Sequence, residues 1–89
     1  MTLKDILQEA IEILKSKNAE VDYDNLFACA RIRLHDLYGE WFENNTVIKD
    51  AHKEVVLYGI IAEWAFINGD FPIWKEYEAK YNAAIKGVL

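Results

Sequence analysis

Apolar residues recur every three or four positions along most of the chain, which is the spacing of one face of an α-helix. In the segment 2–17 this stripe contains Leu3, Ile6, Leu7, Ala10, Ile13 and Leu14. Thr2, followed three residues later by Asp5, has the pattern of a capping box, so the first helix is predicted to begin there. The sequence SKNAEVDYD then breaks the pattern.

A second helix is predicted to begin near Asp22 or Asp24 and to run to Tyr38, with Gly39 as its C-terminal cap. Its buried face would contain Leu26, Phe27, Ala30, Leu34 and Leu37, and also Trp41 if a turn continues past the glycine. Arg31 and Arg33 would lie about 200° apart around this helix, so they are not expected to form one basic patch.

The segment WFENNTVIK (41–49) is the least regular part of the chain. Its two asparagines signal a turn, and TVI is a short β-prone run. We expect an exposed loop or a small hairpin here, with Trp41 and Phe42 at its base.

The third helix is predicted from Asp50 to Asn68, and the fourth follows Gly69 and Asp70. Pro72 would lie in the first turn of the fourth helix, where its missing N–H is tolerated. Apolar and aromatic residues then recur at helical spacing at Trp74, Tyr77, Tyr81, Ala84 and Ile85. The predicted fold is all-α: a bundle of about four helices in a single domain, 1–89, with a short loop or hairpin between helices 2 and 3.

The third helix is unusually apolar, because Glu63 is the only charged residue in the segment 55–67. A surface helix should have one apolar stripe, so this helix is either central or in contact with a partner. Wrapping a helix on all sides is difficult in so small a domain, so we favour a partner interface. The predicted outward stripe contains His52, Val56, Gly59, Glu63 and Asp70. Glu63 as a buried catalytic carboxylate is the alternative, but lone buried carboxylates are rare.

Composition and charge exclude several classes of function. Of the 89 residues, 53% are apolar and 28% are charged with mixed signs, which is typical of a folded domain. The net charge of −5 disfavours non-specific binding to nucleic acid. The longest apolar run is too short to cross a bilayer, so no membrane association is expected.

No catalytic, cofactor-binding or metal-binding pattern stands out. Cys29, the single cysteine, has no neighbouring histidine and is expected to be a small buried residue. His35 and His52 lack the four-residue spacing of a helical zinc site and are expected at the surface. We therefore predict that the chain is not an enzyme and needs no cofactor.

The stretch LYGIIAEWAFINGDFPIWKEYEAKYNAAI (57–85) resembles small head-to-tail connector, or adaptor, proteins of tailed bacteriophages and prophages. In that family the penultimate helix ends at a Gly-Asp or similar turn. The last helix has an aromatic residue near its start and a stripe of tyrosines. The matching residues here are Leu57, Ile61, Ala62, Trp64, Ala65, Gly69, Asp70, Trp74, Tyr77 and Tyr81.

The resemblance implies a virion protein, made in the bacterial host cytoplasm, that joins a dodecameric ring beneath the portal. Such a ring supports stopper or tail proteins, and DNA passes through its channel without specific binding. An acidic surface suits this role, because it does not hold DNA tightly. The predicted interface residues are Trp41, Phe42, Val47 and Ile48 in the loop and Val56, Gly59 and Glu63 on the third helix.

The competing hypothesis is a small acidic helical regulatory or inhibitory protein, such as an anti-host factor or a DNA mimic, that acts by protein–protein binding. A mimic should display a dense array of carboxylates. The segment 21–44 contains only five acidic residues, and aromatic residues interrupt them.

Overall fold

The computed structural model describes residues 1–88, which form four α-helices and one short 3₁₀ turn. The helices are α1 (Leu3–Ser16), α2 (Tyr23–Tyr38), α3 (Lys53–Ile67) and α4 (Phe71–Lys86), and the 3₁₀ turn Asp50–His52 leads into α3. The predicted all-α bundle is confirmed. Within the same residues, no helix combines the length and the apolar character needed to cross a bilayer.

The helix boundaries follow from the predicted caps. Thr2 and Asp5 form a reciprocal capping box at the start of α1. The side chains of Asp22 and Asp70 accept hydrogen bonds from the first turns of α2 and α4, respectively. Gly39 ends α2 with a φ of 75°, a left-handed conformation that glycine adopts without steric cost.

Helix α3 lies at the centre of the bundle and contacts α1, α2 and α4. Its buried residues are Val55, Val56, Leu57, Gly59, Ile60, Ile61, Ala62, Trp64 and Ala65. Burial within the bundle therefore accounts for these residues, as expected of a central helix, whereas Phe66 and Ile67 of the same helix remain exposed. The surrounding helices have 14 to 16 residues each, so each is about as long as the 15-residue α3. Three such helices can therefore shield it along most of its length.

The five residues of the predicted outward stripe on α3 do not form a common exposed surface. Val56 is fully buried, and Gly59 is buried beneath α4. His52 and Glu63 are half-buried and bonded to residues of α2. Asp70 instead caps α4. The prediction of an exposed stripe was wrong because α2 and α4 cover the side of α3 that was expected to face solvent.

The loop between α2 and α3 is held by the beginning of the chain. The N–H of Leu3 donates to Thr46 O at 2.9 Å, and the N–H of Ile48 donates to Met1 O at 2.8 Å. Thr2 and Val47 form an isolated antiparallel bridge. The β-prone run thus pairs with the N-terminal residues of the chain and not within a local hairpin.

This pairing divides the loop residues between the core and the surface. Phe42 and Ile48 are only 5% and 4% exposed, so their placement on an exposed interface was wrong. Trp41 and Val47 are 58% and 74% exposed. Neighbours in an extended segment point to opposite sides, which explains why Val47 faces solvent while Ile48 packs inward.

Candidate interaction surfaces

A half-buried ion-pair network joins α2, α3 and α4. Arg33 Nε donates to Glu63 Oε1 at 3.0 Å, and the other two guanidinium nitrogens donate to the two carboxylate oxygens of Glu78 at 3.3 Å. Burial alone would lower the pKa of Arg33, but its bonds to both glutamates outweigh burial and raise that pKa. Glu63 is therefore neither an isolated acid nor an outward residue, because it helps to hold three helices together. We call these three residues the Arg33 network.

The network lies beside the closest approach of α3 and α4. A Cβ on Gly59 would lie 3.0 Å from the ring of Tyr81, so a larger residue here would require the ring to shift by a few tenths of an ångström. The guanidinium of Arg33 stacks 4.7 Å from the centre of the same ring. The helix that approaches Gly59 thus belongs to the same chain.

Trp41 packs flat against the outer side of α2. Its ring lies 4.0 Å from that of His35, nearly parallel to it, and 5.0 Å from the guanidinium of Arg31. Arg31 also pairs with Glu43 at 3.1 Å. Arg31 and Arg33 thus lie on different sides of α2, as predicted from their separation of about 200° around the helix. Despite these contacts, one side of the Trp41 ring remains open to solvent.

An open cleft of about 280 Å³ lies between the end of α2, the loop and the start of α3; we call it the loop cleft. It is lined by Tyr38, Phe42, Val47, Ile48, His52 and Val56, with Glu40 and Lys49 also at its surface. The Tyr38 hydroxyl and His52 Nδ1 are hydrogen-bonded at 2.8 Å. Burial raises the pKa of Tyr38, so its hydroxyl keeps its proton at neutral pH. The lining thus combines apolar side chains with the polar groups of Tyr38 and His52 and the charged groups of Glu40 and Lys49.

A second apolar surface lies at the turn between α3 and α4. Phe66, Ile67 and Phe71 are 64%, 48% and 69% exposed, respectively, and we call them the apolar tip. Trp74 supports both rings from behind, with centroids 6.1 Å from Phe66 and 5.3 Å from Phe71. Together these three side chains expose roughly 300 to 400 Å², which is within the range of the largest apolar patch on a typical monomeric protein.

The described residues do not gather into a reactive centre. No three histidine, cysteine, aspartate or glutamate side chains within residues 1–88 come together as metal ligands would. Cys29 is buried, as predicted, and burial raises the pKa of its thiol. The thiolate form that nucleophilic chemistry requires is therefore disfavoured.

Of the predicted interface residues, the structure leaves Trp41 and Val47 exposed and places them in different surroundings. Trp41 packs on α2, whereas Val47 lines the loop cleft. Sequence reasoning missed the apolar tip, because Phe66 and Ile67 belong to an apolar run that looks uniform. Their position next to Gly69 was the available signal, since the last turn of a helix extends beyond the neighbours that cover its middle.

A scan of the chain against protein-family models, curated proteins and solved structures finds no match. The resemblance to phage connectors therefore rests on the residues of the stretch 57–85.

Proposed function

We propose that the chain is a structural protein of tailed-phage particles, namely a head-to-tail connector subunit. In this role it joins a ring, dodecameric by resemblance, between the portal and the stopper or tail proteins. DNA passes through the channel of the ring without specific binding, and the mature location is the virion.

One observation carries the proposal. The stretch that resembles connectors, 57–85, folds as the hairpin of α3 and α4, and the turn of this hairpin presents the apolar tip. Large apolar side chains that remain in solvent on a protein with a filled core are typical of surfaces that bind other proteins. A connector needs such surfaces, and its function requires neither a reactive centre nor a cofactor.

The first test is the identity of the neighbouring genes and of the portal partner. We expect terminase, portal and capsid genes on one side of the gene and tail genes on the other. The portal encoded there, purified as rings, should co-sediment with the chain. Flanking genes of metabolism or regulation, together with no binding to portal rings, would overturn the proposal.

Trp41 is our candidate contact with the portal, because its ring is large, rigid and 58% exposed. Trp41→Ala should weaken portal binding by about tenfold or more, as expected for a tryptophan hot spot. Helical circular dichroism should be unchanged. Ile32→Ala is the matched control, since Ile32 is 47% exposed on α2. Equal binding by both variants would show that Trp41 is not part of the portal interface. Loss of helicity in Trp41→Ala would show that its side chain is needed for folding.

The alternative of a DNA mimic receives less support from the arrangement of acidic groups. Asp22 caps α2, and Glu43 pairs with Arg31, so two of the five carboxylates in the segment 21–44 are engaged within the chain. A mimic would bind a DNA-binding enzyme and would be displaced by salt. Such behaviour, without binding to portal rings, would favour the alternative.

A further inference from the structure

A groove of about 250 Å³ lies beside the Arg33 network, between α2, α3 and α4. It is lined by Arg33, Glu63, Phe66, Trp74 and Glu78, and we call it the acid–aromatic groove. We propose that this groove binds the side chain of a lysine presented by a partner protein. Such binding is independent of the connector role, because it requires only the residues of the groove.

The charged groups of the groove leave one acceptor oxygen free. Arg33 is the only cation in the lining, against the two carboxylates of Glu63 and Glu78. Both oxygens of Glu78 accept from Arg33, and one of them also accepts from Trp74 Nε1. Glu63 Oε1 accepts from Arg33 Nε, whereas no side chain within residues 1–88 donates to Glu63 Oε2. Solvent reaches this oxygen, since Arg31 Nε is the only buried side-chain polar atom without a partner in the same residues. The groove thus offers a free acceptor and one unbalanced negative charge.

Two aromatic rings form the apolar wall of the groove. The centroids of Phe66 and Trp74 are 6.1 Å apart, and Phe66 is 64% exposed. A cation within about 6 Å of the centre of such a ring is attracted to its face. In the part of the chain that the structure describes, no lysine or arginine lies over either of these rings. The wall is therefore available to a cation from outside the chain.

Elsewhere the chain supplies its own cation where a ring and a carboxylate lie together. Lys80 Nζ lies 4.7 Å from the centre of the Tyr77 ring and pairs with Glu76 at 3.3 Å. Arg31 makes the same two kinds of contact, with the ring of Trp41 and the carboxylate of Glu43. The acid–aromatic groove has both kinds of group, but its rings have no such cation. Charge complementarity therefore indicates a cationic occupant.

The geometry favours lysine over arginine. Arginine binds a carboxylate most strongly through two parallel N–H bonds, which require two free oxygens. Only Oε2 of Glu63 is free, and a compact ammonium needs only one acceptor. The apolar stem of a lysine can also lie along the two rings. The volume of about 250 Å³ is below the roughly 300 to 1,000 Å³ of typical small-molecule pockets, so it suits a single side chain.

The position of the groove indicates that a protein presents this lysine. Phe66 belongs both to the groove and to the apolar tip, so the two surfaces are continuous. A protein segment with apolar residues next to its lysine would cover the tip while the lysine occupies the groove. A free amine would gain nothing from the tip.

The probe is a capped tripeptide of leucine, lysine and leucine, titrated into isotope-labelled chain at fixed ionic strength. Trp74 gives one of only three indole N–H signals in the NMR spectrum, and Trp74→Phe assigns it. We expect a saturable shift of this signal with a Kd of roughly 1 to 10 mM, because one ion pair and one cation–π contact are each weak at a partly exposed site. The same peptide with Nε-acetyl-lysine has no charge and should bind about tenfold more weakly.

Two variants with matched controls test the two kinds of contact. Phe66→Leu removes a ring from the groove, and Phe71→Leu is its control, because Phe71 is equally exposed on the tip but does not line the groove. Glu63→Gln removes the charge of the free acceptor, and Glu43→Gln is its control, because Glu43 also pairs with an arginine but lies outside the groove. Phe66→Leu and Glu63→Gln should each weaken peptide binding by about three- to tenfold, and the controls should bind as wild type does. Circular dichroism verifies that each variant is folded.

Absence of a shift in the wild type, or equal binding of the acetylated peptide, would overturn the proposal. Equal losses in Phe66→Leu and Phe71→Leu would also overturn it, because the peptide would then contact the tip without using the groove. An arginine peptide that binds more tightly than the lysine peptide would refute the choice of lysine. Since Phe66 is exposed, its variant decides the question even if Glu63→Gln fails to fold.

Discussion

Replacing Arg33 by methionine should be among the most destabilising single changes at a charged position of this protein. Arg33, Glu63 and Glu78 have side chains that are only 15%, 17% and 25% exposed, respectively. The guanidinium makes one bond to Glu63 and two to Glu78. Methionine retains an unbranched apolar stem beside Tyr81, so the substitution removes mainly the charge and its hydrogen bonds.

The expected cost is about 2 to 4 kcal/mol of unfolding free energy. Breaking a fully buried ion pair by removing one partner costs about 3 to 5 kcal/mol, because the remaining charge has no partner. Here water can reach the two orphaned carboxylates in part, which reduces the cost below that limit. For a domain of this size, each kcal/mol lowers Tm by about 4 to 8 °C.

Urea unfolding at pH 7 measures the effect. Arg31→Met is the matched control, because Arg31 pairs with Glu43 at 3.1 Å but both side chains are well exposed, at 36% and 60%. It should cost less than about 1 kcal/mol. Equal losses in the two variants would refute this account of the network.

Three further predictions concern packing and titration. Gly59→Ala should destabilise the wild type by about 1 kcal/mol, because the new methyl group meets the Tyr81 ring at 3.0 Å. In a Tyr81→Ala background the same change should stabilise by up to about 1 kcal/mol, as alanine favours helix, and thermal unfolding would reveal this reversal of sign. Phe42→Ala should lower the free energy of unfolding by about 3 to 4 kcal/mol, because Phe42 is only 5% exposed. Urea unfolding measures this loss, and a loss below about 1 kcal/mol would show that the side chain is not part of the core. Hydrogen bonds from Thr2 lower the pKa of Asp5, and a hydrogen bond from Lys17 lowers that of Glu76. Both carboxylates therefore stabilise the fold above their unfolded pKa of about 4, and this contribution is lost as pH falls below it. Tm measured against pH should show the loss, with a shallower decline in Asp5→Asn.

The sequence predicted the features that depend on neighbours along the chain. Thr2, Asp22 and Asp70 are polar residues at the start of helices, and each acts as the cap that its position indicated. Gly39 ends α2 because the left-handed conformation is local to that residue. Such features need no knowledge of how the helices pack together.

Features that depend on residues far apart in the sequence could not be predicted in this way. The β-prone run around Val47 pairs with Thr2, 45 positions earlier in the chain. The Arg33 network joins residues from three helices, and their contact depends on the rotation and the register of each helix. Periodicity gives the face of each helix but not the neighbour that this face meets, so the sequence alone could not decide whether helices of the same chain or a partner cover α3.

The ion pairs and the apolar tip are physically connected, and this connection bears on how the tip would bind. Trp74 Nε1 donates to Glu78 Oε2 at 3.2 Å, and Glu78 is in turn held by Arg33. The Trp74 ring then supports both phenylalanines of the tip. Side chains held in place before binding lose less conformational entropy when they bind, so a supported tip binds better than three freely rotating side chains of the same area. The network thus stabilises the bundle and also holds the support of the tip in position. Arg33→Met should therefore weaken the binding of a partner protein to the tip even under conditions where the variant remains folded.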